Sequence, residues 1–192
     1  MANRLMALAT ELHFRYIATG SIIDYKEAIE VAQEAVNDSP PADPQRARRI
    51  NIIATVMHER YSRTRIKHEL EDVLLLSQDF VDVTPEEDDD RTIYLINLGP
   101  RIGDRYLRTQ DMADIDESIE IMREAVHRTP LGHGEMHERL NILASLLQER
   151  FIRTKNIADI REAIEIGHEV INMAPQGDPY RAKYCNNLAD DH

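Results

Sequence analysis

The side chains of this 192-residue chain with the most chemical capacity are a histidine pair, an acidic run, a lone cysteine and a recurring arginine–aromatic pair. His133 and His137 stand four apart with Glu135 between them, close enough on one helical turn to suggest a metal site. The zinc-hydrolase arrangement needs its glutamate directly after the first histidine, and Gly134 occupies that place. The pair therefore reads as part of a solvated loop, and no metal is expected. The run Glu86 to Asp90 lacks the alternating ligands and central glycine of a calcium loop. It reads as negative charge ahead of a helix N-terminus, where the helix dipole favours it. Cys185 shares the register of Ile50, Leu95 and Leu140, which makes it a buried, inert thiol. No glycine-rich phosphate loop or nucleophile elbow is present. No catalytic residue and no cofactor are expected, and the chain does not read as an enzyme.

The arginine–aromatic pairs point to architecture. Arg15-Tyr16, Arg60-Tyr61, Arg105-Tyr106 and Arg150-Phe151 follow one another at steps of 45 residues. The same step separates Thr19, Thr64, Thr109 and Thr154; Pro40, Pro85, Pro130 and Pro175; and the acids Asp24, Glu69, Asp114 and Asp159. A residue that recurs in every unit is structural by preference: the aromatic extends the core, and the arginine pairs with an acid of the following helix. Each unit carries two helical stripes. Ile50, Ile53, Ala54, Met57 and Tyr61 form the first type, repeated as Leu140, Leu143, Ala144, Leu147 and Phe151. Tyr25, Ala28, Ile29, Ala32, Ala35 and Val36 form the second. Neither stripe can be hidden by its own helix, so each pair must pack on its neighbours. First helices are predicted near 3–18, 44–63, 89–108, 134–153 and 179–190, and second helices near 24–37, 68–83, 113–128 and 158–173. Asp43-Pro44 and Asp178-Pro179 read as N-cap plus first-turn proline, Asp24, Asp114 and Asp159 as the start of second helices, and the prolines at 40, 85, 130 and 175 as their stops. Pro100 lies inside the third long helix, where it removes the hydrogen bond to Ile96 and is expected to kink it.

The reading is all-α: a right-handed α-solenoid of antiparallel helix pairs over residues 1–192. Its units are approximately 1–43, 44–88, 89–133 and 134–178, with a partial fifth helix in 179–192. Both termini fall inside first-helix motifs, which suggests a segment of a longer array. The net charge of −12 repels phosphate backbones and anionic membranes, so nucleic acid and membrane are not expected partners. A protein or peptide of basic or mixed charge is compatible. Charges interrupt every apolar stretch of residues 1–16, and no apolar run approaches the ~20 residues of a membrane span. With a single cysteine no internal disulfide is possible. A cytoplasmic protein is expected.

Asn97-Leu98-Gly99, Ile142-Leu143-Ala144 and Asn187-Leu188-Ala189 resemble the Leu-Gly core of a tetratricopeptide (TPR) first helix. Ala28, Ala163, Ala35 and Ala125 resemble its small second-helix residues, and the four recurring prolines its closing proline. The ordinary repeat has about 34 residues, so this one is extended, mostly around the Arg-Tyr-x-x-Thr segment. Arg105 to Thr109 and Arg123 to Pro130 resemble the repeats of large fungal multidomain proteins in which the array accompanies a CHAT-type protease or an NB-ARC NTPase. Unit two departs from the pattern with Val73 and Phe80 at small-residue sites, and only Gly20 keeps the glycine after the threonine.

The resemblance implies that first helices line a concave groove gripping an extended peptide. The matching positions here are Arg48, Asn51, Thr55, His58 and Glu59; Glu138, Asn141, Ser145, Gln148 and Glu149; and Lys183, Asn186 and Asp190. Asn51, Asn141 and Asn186 share one register, and an asparagine series can pair with a strand's backbone; the same residues could instead bond to neighbouring helices and set the inter-repeat angle. Arg48 and Lys183 could hold a carboxylate. Ile96 and Pro100 interrupt the series in unit three, whose groove surface should be more apolar. The implied function is a protein-interaction scaffold. The alternative is a regulatory array acting in cis on an effector module, a CHAT-type protease or NB-ARC NTPase, that this chain lacks.

Overall fold

A computed structural model of the chain describes residues 1–40, 43, 45–130 and 132–173. Among the described residues are eight helices and no strand: α1 (Ala2–Thr19), α2 (Ile22–Asn37), α3 (Arg46–Thr64), α4 (Lys67–Val83), α5 (Asp90–Thr109), α6 (Met112–Arg128), α7 (Met136–Thr154) and α8 (Ile157–Met173). Every helix predicted over these residues is present, with ends within about two residues of those expected. The expected fifth first helix, with Asp178, Pro179, Lys183, Cys185, Asn186 and Asp190, lies outside the described residues, as do Pro44 and Pro175. The chain divides into two compact units, Met1–Tyr94 and Leu95–His192.

The turn joining the two helices of each pair is built the same way every time. The residue after the threonine takes a left-handed conformation: Gly20 at φ 72°, Arg65 at 55°, Gln110 at 59° and Lys155 at 59°. Its N–H donates to the carbonyl of the recurring aromatic, Tyr16, Tyr61, Tyr106 or Phe151, at 2.7–2.8 Å. This closes the helix with the single bond of the left-handed C-cap motif. The threonine hydroxyl clasps both sides of the turn. Thr19, Thr109 and Thr154 donate to the carbonyls of Arg15, Arg105 and Arg150. All four threonine oxygens accept the N–H two residues on, from Ser21, Ile66, Asp111 and Asn156, at 3.2–3.3 Å.

Second helices start on side-chain caps. Ser21 accepts from the Asp24 N–H, Asp111 from Ala113 and Asn156 from Ala158; Ile66 holds the equivalent place in unit two with no oxygen to offer. Asp24, Glu69, Asp114 and Asp159 therefore do not begin these helices. They sit at the third helical position, where each pairs with the arginine nine residues earlier: Arg15–Asp24 at 2.6 Å, Arg60–Glu69 at 2.6 Å, Arg105–Asp114 at 2.8 Å and Arg150–Asp159 at 2.7 Å. The pairing expected from spacing is thus made in all four units. At the far end, the buried hydroxyls of Ser39, Thr84 and Thr129 donate to the carbonyls of Ala35, Phe80 and Ala125 at 2.6–2.7 Å. They satisfy last-turn acceptors just before each proline.

Asp43 is not the N-cap of α3. The helix opens later, at Arg46, because Asp43 folds a tight turn: its Oδ1 accepts from the Gln45 N–H at 2.9 Å and its Oδ2 from Arg49 at 2.6 Å. α3 is tied to the end of α2 by Arg46, whose guanidinium donates to the Val36 and Ser39 carbonyls. Arg91, 45 residues on, donates to Val81 and Thr84 in the same way.

Within residues 1–94, Met6, Ala9, Ala32, Ala35, Val36 and Ile53 form one buried cluster, and Leu12, Ala28 and Val56 another. Val73 and Phe80 are buried, and the Phe80 ring lies 5.8 Å from Tyr94. Within residues 95–192, Ile115, Ile119 and Met122 of α6 pack with Leu140, Leu143 and Leu147 of α7 and with Ala163, Ile166 and Val170 of α8. α5 continues through Pro100 as one 20-residue helix.

Candidate functional site

The solvent side of the first helices is built from residues that cannot join the apolar stripe, and the structure gives each a distinct setting. Arg48 is exposed, and its guanidinium grips the Asp90 carboxylate through two hydrogen bonds of 3.1 and 2.5 Å. The carboxylate expected at Arg48 is therefore supplied by the chain's own α5. Hydrogen bonding to Asp90 holds Arg48 above the usual guanidinium range, and burial pushes the nearby Tyr94 phenol up to about 12. Asn51 is buried, at 8% exposure. Thr55 is half-buried and donates to the Asn51 carbonyl at 2.9 Å; His58 is half-buried, its ring 5.9 Å from Tyr61. In α7, Glu138 is exposed, while Asn141, Ser145 and Gln148 are half-buried, and Ser145 donates to the Asn141 carbonyl at 2.9 Å. Lys183 and Asn186 lie outside the described residues.

One register carries a shared backbone device. Thr10, Thr55 and Ser145 each donate to the carbonyl four residues back, a bond that loosens and bends a helix. Pro100 occupies that register in α5 and has no N–H to give Ile96. The same turn of the four described first helices carries a hydroxyl bonded to the backbone in three and a proline in the fourth.

Between α5 and α7 this face opens into a cavity of about 250 Å³. Pro100 and Leu107 of α5 face Ile142 and Leu146 of α7 across it, with Asp104 and Glu149 supplying carboxylates. Gly103 of α5 lies in its wall. In the corresponding places of the other units stand His13, His58 and Gln148. At 103 even a Cβ would come within 2.9 Å of Leu146 Cδ2. A side chain at 103 would therefore have to turn the Leu146 methyl aside.

The fold that carries these residues has counterparts among solved structures. The chain superposes on the nearly identical TPR-like repeats of a Podosopora anserina kinesin light chain protein with a TM-score of 0.70 at 17% identity, covering 100% of this chain and 86% of that one. A singly substituted form of the same protein gives 0.70 at 16% identity, covering 99% and 85%. The fold is that of a TPR-like helical repeat. The DHF58 filament matches more distantly, with a TM-score of 0.50 at 12% identity over 100% of this chain and 97% of that one. No family model and no curated protein sequence matches the chain.

Set on this TPR-like frame, the face combines positions predicted from sequence, such as Ser145 and Glu149, with others that were not: Gly103, Asp104, Leu107, Ile142 and Leu146. The signal was present in the alignment of units, where a glycine replaces His, His and Gln at one register. What it opens depends on the opposing helix. His133 lies in the exposed loop before α7, where its Nδ1 accepts the Glu135 N–H at 3.2 Å. Among the described residues, no three His, Cys, Asp or Glu side chains converge, and no helix is long and apolar enough to cross a membrane.

Proposed function

We propose that this TPR-like chain is a protein-interaction module that holds an extended segment of a partner protein on the solvent side of its first helices. The carrying observation is the cleft between α5 and α7, whose Pro100 and Gly103 stand at the two registers that carry Ser145 and Gln148 in α7 and Thr55 and His58 in α3. Within residues 95–192, polar side chains of α7 beside an apolar recess have the composition of a binding surface. The acidic chain favours a partner of basic or mixed charge. The reading assigns no bond-making chemistry to the chain.

The test is selection of binders from a random 12-residue peptide library, followed by methyl and backbone NMR of the labelled chain with an enriched peptide. Shifts concentrated on first-helix residues around Thr55, Ser145 and Leu146 support the reading. Shifts confined to the outward sides of α2, α4, α6 and α8 overturn it.

A further inference from the structure

We infer that the α5–α7 cleft is a receptor for a single apolar side chain of the partner segment, flanked in that segment by lysine or arginine. The inference rests on the preceding reading of the first-helix face and names the chemistry of its occupant. At about 250 Å³ the recess is smaller than the ~300–1,000 Å³ of sites that enclose a whole small ligand, and suits one anchoring side chain. Its walls are hydrocarbon: Pro100 and Leu107 on one side, Ile142 and Leu146 on the other, with Tyr106 and Ile115 buried beneath. Leu107 is 54% exposed, so an incoming side chain covers apolar surface that now faces water.

Charge sets the neighbours of the anchor. Asp104 and Glu149 occupy equivalent registers on the two helices and both line the recess. An anchor entering between two carboxylates favours a cationic flank, and the chain's net charge of −12 acts in the same direction at longer range. In unit one–two the registers of Gly103 and Gln148 carry His13 and His58.

The experiment uses the full chain and the peptides enriched from the random library, measured against three proteins: wild type, Gly103→Gln, and the double variant Asp104→Asn with Glu149→Gln. Gly103→Gln installs the residue found at 148; circular dichroism and melting check that it and the double variant, whose side chains keep their size, both fold. The expected peptides carry a Leu, Met or Phe beside Lys or Arg. They bind Gly103→Gln about 30-fold more weakly, as for loss of a central anchor pocket. They bind the double variant about three- to tenfold more weakly with a flatter salt dependence. Peptides that shift first-helix resonances yet bind all three proteins equally overturn the anchor pocket and leave the general reading standing. Peptides that bind elsewhere on the fold, or none at all, overturn both. Enrichment of acidic flanks overturns the charge assignment and with it this proposal.

Discussion

The Ser118 hydroxyl of α6 donates a 2.6 Å hydrogen bond to the Gly99 carbonyl of α5, immediately before Pro100. Ala28, Val73 and Ala163 hold the equivalent place in the other second helices, so this bond belongs to the proline-containing unit alone. A Cβ at Gly99 would lie 2.9 Å from Met122 Cγ, which shows how tightly the two helices meet. Ser118 is wholly buried. Ser118→Ala is expected to lower stability by about 1 kcal/mol, or roughly 2–4 °C in Tm for a chain of this size, by calorimetry. An unchanged melt would show that the Gly99 carbonyl does not depend on this donor.

The four Arg–acid pairs share a nine-residue spacing and differ in burial, so their deletion should differ in cost. The Arg150 side chain is 17% exposed against an Asp159 side chain at 3%, and Arg150 also reaches Asp116 at 2.8 Å. Arg150→Met leaves a buried carboxylate without its partner and is expected to cost about 2–4 kcal/mol. The Arg15 side chain is 59% exposed, and Arg15→Met should shift Tm much less. Equal losses in urea titrations of the two variants would refute the burial argument.

Unit two is the one whose second helix starts without a side-chain oxygen. Ile66 has the extended backbone of an N-cap, φ −77° and ψ 122°, and is 40% exposed. Ile66→Ser copies Ser21 and is expected to raise stability by about 1 kcal/mol. A fall in the urea midpoint would instead mean that the Ile66 side chain contributes more than the missing cap.

Acid should destabilise the protein in two stages. His13 Nε2 is buried with no hydrogen-bond partner among the described residues, and burial pushes the imidazole pKa below 6.5 despite the nearby Glu59. Between the folded and unfolded values the unfolded chain binds more protons, so stability falls as pH drops below about 6.5. Asp24 and Asp43 are held below the usual carboxylate range by hydrogen bonds from Arg15 and Arg49. Their contribution is complete above about pH 4 and is lost as pH falls through the depressed values. His13→Gln should flatten Tm between about pH 7 and 5 while leaving the decline below about pH 4. A variant with the wild-type slope would remove His13 as its source.

The helix pairs were legible because threonine, proline and the Arg–acid spacing are local instructions: each acts within a few residues of where it is written. Asp43 misled because aspartate before proline can cap a helix or fold a turn, and Arg49 decides between them by pulling the carboxylate away. Aspartate suits a helix start, but Ser21 and the left-handed Gly20 set the start of α2 half a turn before Asp24. The hydroxyls of Ser39, Thr84 and Thr129 passed as ordinary residues before proline. The recess at Gly103 needs Leu146 opposite it, a relation between distant segments that no single unit contains.

The arginine clasp spans only nine residues, from Arg15 to Asp24 and likewise in the other three units. Joining groups so near in sequence costs little loop entropy, so a hairpin can zip up by itself before its neighbours arrive. Ordering can then nucleate at whichever pair closes first and spread outward in both directions. Contacts of such short range also predict rapid refolding for the size of the chain.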